Sequence, residues 1–201
     1  MEKVARCSCG SGKASTIGDL GMLNFQTELV YLAVALGIAL LGAIFDIRSR
    51  RIPNLLTLPG ILLGLILHLV LNGWRGLGMA ALAGLICGVL FLVFWLAGGM
   101  GAGDVKLITA VGCTAGMPHI FYLLVLTALS GGVMAVGLAL WRGRLKETLV
   151  NVGAIAVHHR IEGLKPHPHL NLTNAWTLRL PYALAIAAGS ALSLCLLVVQ
   201  R

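Results

Sequence analysis

Gly98 to Leu107 reads GGMGAGDVKL: four glycines and one aspartate set between two apolar runs. A carboxylate at the edge of a bilayer is costly and usually faces a bundle interior or a watery cavity. Asp104 therefore needs a reason, and so does the glycine-rich setting around it. Glycine lets a second backbone approach closely, lets a loop move, or supplies a positive φ.

The rest of the chain says why a bilayer is the right frame. Its 201 residues are 58% hydrophobic and 11% charged, with a mean hydropathy of +0.93. Soluble domains average about 25% charged residues. The expectation is an all-α polytopic membrane protein with no large soluble domain beside it. The formal net charge of +8 is then explained by basic loops that fix topology, and nucleic acid is not expected as a partner. Residues 1–27 read as a polar N-terminal extension of disordered character, and residues 28–201 as the membrane domain. No apolar core follows the early positive charges closely enough for a signal peptide.

Six apolar segments are expected to span, at roughly 29–46, 55–71, 77–97, 105–117, 119–141 and 182–199. The fourth is short and is bounded by Pro118. With the loop after the first segment inside, ten of the 15 Lys and Arg residues fall on the inner side. That bias places the N-terminus outside. Pairs at GxxxG spacing, Gly60/Gly64, Gly84/Gly88 and Gly112/Gly116, fit close helix packing. Cys87, Cys113 and Cys195 read as small buried hydrophobes, and Cys7 and Cys9 lack a second pair for zinc. The loop 142–180 opens on a basic, apolar stretch suited to the membrane surface. Its His158, His159, His167 and His169 match no familiar metal spacing, so no metal or other cofactor is expected.

There are only seven Asp and Glu residues. Glu2, Asp19 and Glu28 belong to the tail and the outer surface, and Glu147 and Glu162 to the basic loop. Asp46, in AIFDIRSRRIPN, ends the first segment, and Asp104 precedes the fourth. Both belong to the same side of the membrane. Each has a plain structural explanation: Asp46 can pair with Arg48 or Arg50, and Asp104 can cap a helix. Together they suggest more. Two neighbouring carboxyls share a proton, leaving one acid and one base across a water molecule, which suits hydrolysis without a covalent intermediate.

GAGD resembles the GxGD motif of membrane-embedded aspartic proteases. DIRSRRIPN followed by GMGAGDVKL resembles the type IV prepilin peptidase family in particular, in a compact form similar to the tight-adherence (Flp) prepilin peptidases. LPYALAIAAG, Leu180 to Gly189, resembles that family's last-span motif. The resemblance implies catalytic aspartates at Asp46 and Asp104, with Arg48, Pro53, Asn54, Gly101, Gly103 and Lys106 binding substrate or supporting the site. It implies an inner-membrane aspartic endopeptidase that cuts the leader from prepilin, pseudopilin, Flp or archaellin-like substrates at the cytoplasmic face, among lipids. Self-association is compatible with the sequence. Larger family members carry paired CxxC motifs between their first spans and also N-methylate the product. This chain has a short basic loop there instead. Presenilin-type proteases share GxGD but pair it with Tyr-Asp, where this chain has Phe45 before Asp46. The alternative from another class is a small proton- or cation-coupled transporter using the two aspartates as a relay. Transporter sites lie near the midplane, and no internal repeat is visible.

Overall fold

The computed structural model describes residues 11–49, 52–97, 99–143 and 182–200. These form five helices: α1 (Ser11–Ser49), α2 (Asn54–Leu96), α3 (Ala102–Ala115), α4 (Ile120–Trp141) and α5 (Tyr182–Val199). No strand occurs among the described residues. Four stretches are long and apolar enough to cross a bilayer: Asn24–Ser49, Asn54–Leu96, Ile120–Trp141 and Tyr182–Val199. The protein is an all-α integral membrane protein. α1 begins within the polar extension. Cys7, Cys9 and the histidine-bearing loop lie outside the described residues.

α2 carries two of the expected segments, 55–71 and 77–97, in one element of 43 residues. A straight helix of that length would measure about 65 Å, twice a bilayer core. It is not straight. Gly73 has φ 63° and ψ −158°, a region open essentially to glycine alone. The packing shows how far the chain turns there. A Cβ on Gly60 or Gly64 would meet Ala110 at 3.3 Å or the Thr114 backbone at 2.9 Å, and one on Gly84 or Gly88 would meet Thr109 at 3.2 or 2.8 Å. Gly60 and Gly88 would be about 42 Å apart on a straight helix, yet both press on one short stretch of α3. α2 therefore doubles back at Gly73, and its two arms clasp α3. Gly60/Gly64 and Gly84/Gly88 serve the close packing their spacing suggested, whereas Gly116 of the third pair lies just past α3 at φ 75°, against the His68 ring.

α3 is 14 residues long, about 21 Å, and it is the centre of the molecule. Leu107, Ile108, Ala110, Val111 and Ala115 are buried, together with Leu32, Ala35, Ile38, Ala39 and Ala43 of α1 and Ala183, Ile186 and Ala187 of α5. Outer faces are apolar too: Leu55, Val70, Trp74 and Trp141 are exposed. In lipid such faces cost nothing, so close van der Waals packing of small residues sets the interior. Cys87 and Cys113 are buried as expected, but Cys195 is exposed. Its side of α5 faces outward, where an apolar thiol is equally at home.

This topology gives the bundle two ends. α1 finishes, α2 begins and finishes, and α3 begins at one end, which holds Asp46 and Asp104. The turn at Gly73 and the α3–α4 turn lie at the other.

Candidate active site

Asp46 occupies the last turns of α1 and is half-buried. Arg48 follows it, exposed, in the final turn, where a cation suits the negative end of the helix. The chain then turns sharply. Pro53 caps α2 with extended φ/ψ of −69° and 140°, and its carbonyl accepts from the Leu56 amide at 3.0 Å. A proline fits here because the missing N–H would be unpaired anyway.

Asp104 is not the cap of α3. Gly101 holds that place, and Asp104 lies in the first helical turn, its amide donating to the Gly101 carbonyl at 3.1 Å. A carboxylate in that turn still gains from the helix's positive end. Yet Asp104 is only 8% exposed, and among the described residues its Oδ1 has no hydrogen-bond partner. It lies outside the four membrane-crossing stretches. Burial first, and the charge of Asp46 second, push its carboxyl up to about 7, against the opposing pull of a backbone hydrogen bond at Gly101. Asp46 thus acts directly on Asp104. Near neutral pH Asp104 is therefore still partly protonated.

The surrounding motif residues converge on the same place. The Lys106 ammonium donates to the Asn54 side-chain oxygen at 2.9 Å, fastening the segment after Asp46 to the segment after Asp104. A Cβ on Gly103 would approach Cβ of Ile52 at 3.1 Å, and one on Gly101 would approach Oδ2 of Asp104 at 3.1 Å. The glycines are there for want of space. Gly101 has an ordinary φ of −80°, and the positive-φ glycines are Gly73, Gly116 and Gly143 instead. Asp46, Asn54, Gly101, Gly103, Asp104 and Lys106 are therefore brought together, with Arg48 exposed beside them.

Two neighbouring carboxyls, one of them partly protonated, have the chemistry that could add water across a polar bond. The sequence signal for the pair also returns in comparison with known proteins. The profile of the type IV leader peptidase family matches residues 33–136, which include both aspartates. The chain belongs to the type IV leader peptidase family. Among curated relatives, the prepilin leader peptidase/N-methyltransferase of Aeromonas hydrophila is 39% identical over 106 residues, covering 48% of this chain and 36% of the relative. The protein of the same description from Burkholderia pseudomallei (strain 1026b) is 36% identical over 112 residues, covering 50% of this chain and 34% of the relative. The chain thus spans little more than a third of the curated relatives it matches. No solved structure is detectably similar to it.

One residue near the two aspartates escaped the motif reading. Tyr182, the first residue of α5, lies within electrostatic reach of Asp104. The only hint was its place in LPYALAIAAG, a span start at the same end of the bundle. Among the described residues no three His, Cys, Asp or Glu side chains are grouped to hold a metal ion.

Proposed function

We propose that this protein is an aspartic endopeptidase of the inner membrane that removes the leader from type IV prepilin-like or Flp-like subunits. Asp46 and Asp104 are the reacting pair. The protonated carboxyl donates to the scissile amide while the ionised one takes a proton from the attacking water. Lys106 and Asn54 hold the two acid-bearing segments in register, Pro53 sets the turn between them, and Gly101 and Gly103 leave room for Asp104. Arg48, exposed beside the pair, meets the polar part of the substrate. The charge bias puts this end in the cytoplasm, with the two arms of α2 and the part of the enclosed α3 after Asp104 making six passes in all.

The observation that carries this reading is the doubling of α2 at Gly73, which sets the end of α1 beside the start of α3. A relay for ions draws no support from it, because both acids lie at one end of the bundle and not at its midplane. The test is cleavage of a prepilin substrate by Asp46→Asn and Asp104→Asn, compared at equal folded protein. Each should lose about a thousandfold in turnover. Processing at close to the wild-type rate by either variant removes the mechanism. Orientation is checked separately with a Ser49→Cys substitution in a background lacking native cysteines. It should resist an impermeant thiol reagent added to intact cells, and strong labelling there would invert the topology.

A further inference from the structure

The turn between α3 and α4 holds a buried side chain that the paired acids do not use. His119 is the residue before α4, and its carbonyl accepts from the Leu123 amide at 2.9 Å. The residue is 8% exposed, and its Nε2 is buried with no hydrogen-bond partner among the described residues. A ring nitrogen left in that state is costly. The carboxylate of Glu28, on α1, lies 3.9 Å from it, about 1 Å beyond a charge-assisted hydrogen bond. The Glu28 side chain is 38% exposed, so the acid keeps its contact with solvent while the ring does not.

A proton on that ring would be pulled one way. Further in lies His68 of α2, within electrostatic reach of His119 and itself fixed by its stack on Tyr31 and by the Thr114 carbonyl at 3.1 Å. Toward solvent lies Glu28. Arg75 of α2 and Tyr122 of α4 are exposed, and α3 and α5 carry no charged side chain at this end among the described residues. Burial holds the His119 pKa below 6.5 despite Glu28. Its contribution to stability is therefore present above that pH and is lost as pH falls through the lowered value.

The turn also seats a helix with few other holds. α4 rests on α5, where the Ser130 hydroxyl donates to the Ala185 carbonyl at 2.8 Å, and it scarcely touches α2 or α3. We propose that the turn is an acid-released latch: the neutral His119 ring sits inside and seats the start of α4, and the protonated ring is drawn out to Glu28 and frees it. The inference is independent of the peptidase reading.

Hydrogen exchange of the purified full chain in detergent tests it, read from Gly116 to Leu123 and corrected for the intrinsic rate at each pH. Between about pH 7.5 and pH 5 the wild-type protection factor of this segment should fall about tenfold or more, while α5 keeps its protection. His119→Gln cannot take up the proton, and its segment should change by less than about twofold. Glu28→Gln removes the attraction, so the fall should move to lower pH. Constant wild-type protection overturns the latch, and so does a loss shared equally by α5, which is general acid unfolding. An equal fall in His119→Gln assigns the response to another group and overturns it too. An unmoved midpoint in Glu28→Gln removes the partner the swing requires. Should His119→Gln not fold, wild type and Glu28→Gln decide between them. No arm uses a substrate, so failure of the peptidase reading leaves the result standing.

Discussion

The two ends of the bundle handle buried polar groups in opposite ways. At the end holding the Gly73 turn, His68 is stacked on Tyr31 with ring centroids 3.9 Å apart and planes 15° apart. Its Nε2 lies 3.1 Å from the Thr114 carbonyl, and the Asn72 amide donates to the Tyr31 hydroxyl at 2.9 Å. Gly116, with φ 75°, leaves room for the ring, since a Cβ there would lie 2.7 Å from its Cε1. His119 beside them faces Glu28 at 3.9 Å. Burial lowers its pKa despite Glu28, so it is neutral at neutral pH. At the other end Asp104 is buried with an unpartnered oxygen and a like charge acting on it. Apart from His119 Nε2, which is buried without a hydrogen-bond partner among the described residues, the polar groups named at that end hold helices together. The other keeps a carboxyl in a state that opposes folding, as is expected of the reacting group proposed above.

The sharpest way to break this contrast is to substitute one residue at each end. For Asp104 the folded pKa is raised, so folding favours the protonated form. Its stability contribution falls as pH rises from the ordinary carboxylate range through about 7. Asp104→Asn should therefore raise the unfolding temperature at pH 8 relative to wild type, while turnover falls about a thousandfold. His68→Ala should do the reverse. Losing a buried, stacked and hydrogen-bonded ring costs roughly 2–4 kcal/mol, or about 5–15 °C, with specific activity of the folded fraction within about twofold of wild type. Thermal unfolding in detergent at two pH values, followed by prepilin cleavage at matched folded protein, reads both. A large stability loss in Asp104→Asn, or an inactive folded His68→Ala, would erase the distinction.

A smaller effect is expected where a glycine touches each end's key side chain. Gly101→Ala presses on the Asp104 carboxylate at 3.1 Å and should lower kcat about tenfold, less than the hundredfold of a full 1 Å misplacement. Gly116→Ala strains a positive φ and meets the His68 ring, so it should lower the unfolding temperature and leave kcat alone. Smaller again is the exposed bond between Lys106 and Asn54. Lys106→Ala and Asn54→Ala should each slow turnover a few-fold, and the double variant should be no worse than either single one. Full additivity would show that the two segments are not joined through that bond.

How much of this was legible beforehand depends on what decides each feature. A chain with seven carboxylates advertises the two that sit at span ends, because charge is rare and costly there. Both apolar arms of α2 were visible as separate segments, since Asn72, Gly73 and Arg75 interrupt the run. Their clasp on α3 was not, because it depends on where glycine faces meet in space. The close packing at Gly101 and Gly103 was hidden for the same reason: spacing shows a missing side chain but not which neighbour, Asp104 or Ile52, fills the gap. Tyr182's approach to Asp104 depends on where helix ends meet in space, and a single sequence holds no signal for that. Cys195 went wrong because an apolar residue in lipid can face either way.

The central claim is that Asp46 and Asp104 titrate as one coupled pair. Infrared spectroscopy of the carbonyl band of protonated carboxyls, followed across pH in the purified protein, tests it directly. The account predicts a band that titrates near pH 7 in wild type, is absent in Asp104→Asn, and moves to lower pH in Asp46→Asn as the like charge is removed. A band that titrates in the ordinary carboxylate range, or one that Asp46→Asn leaves unmoved, would contradict it.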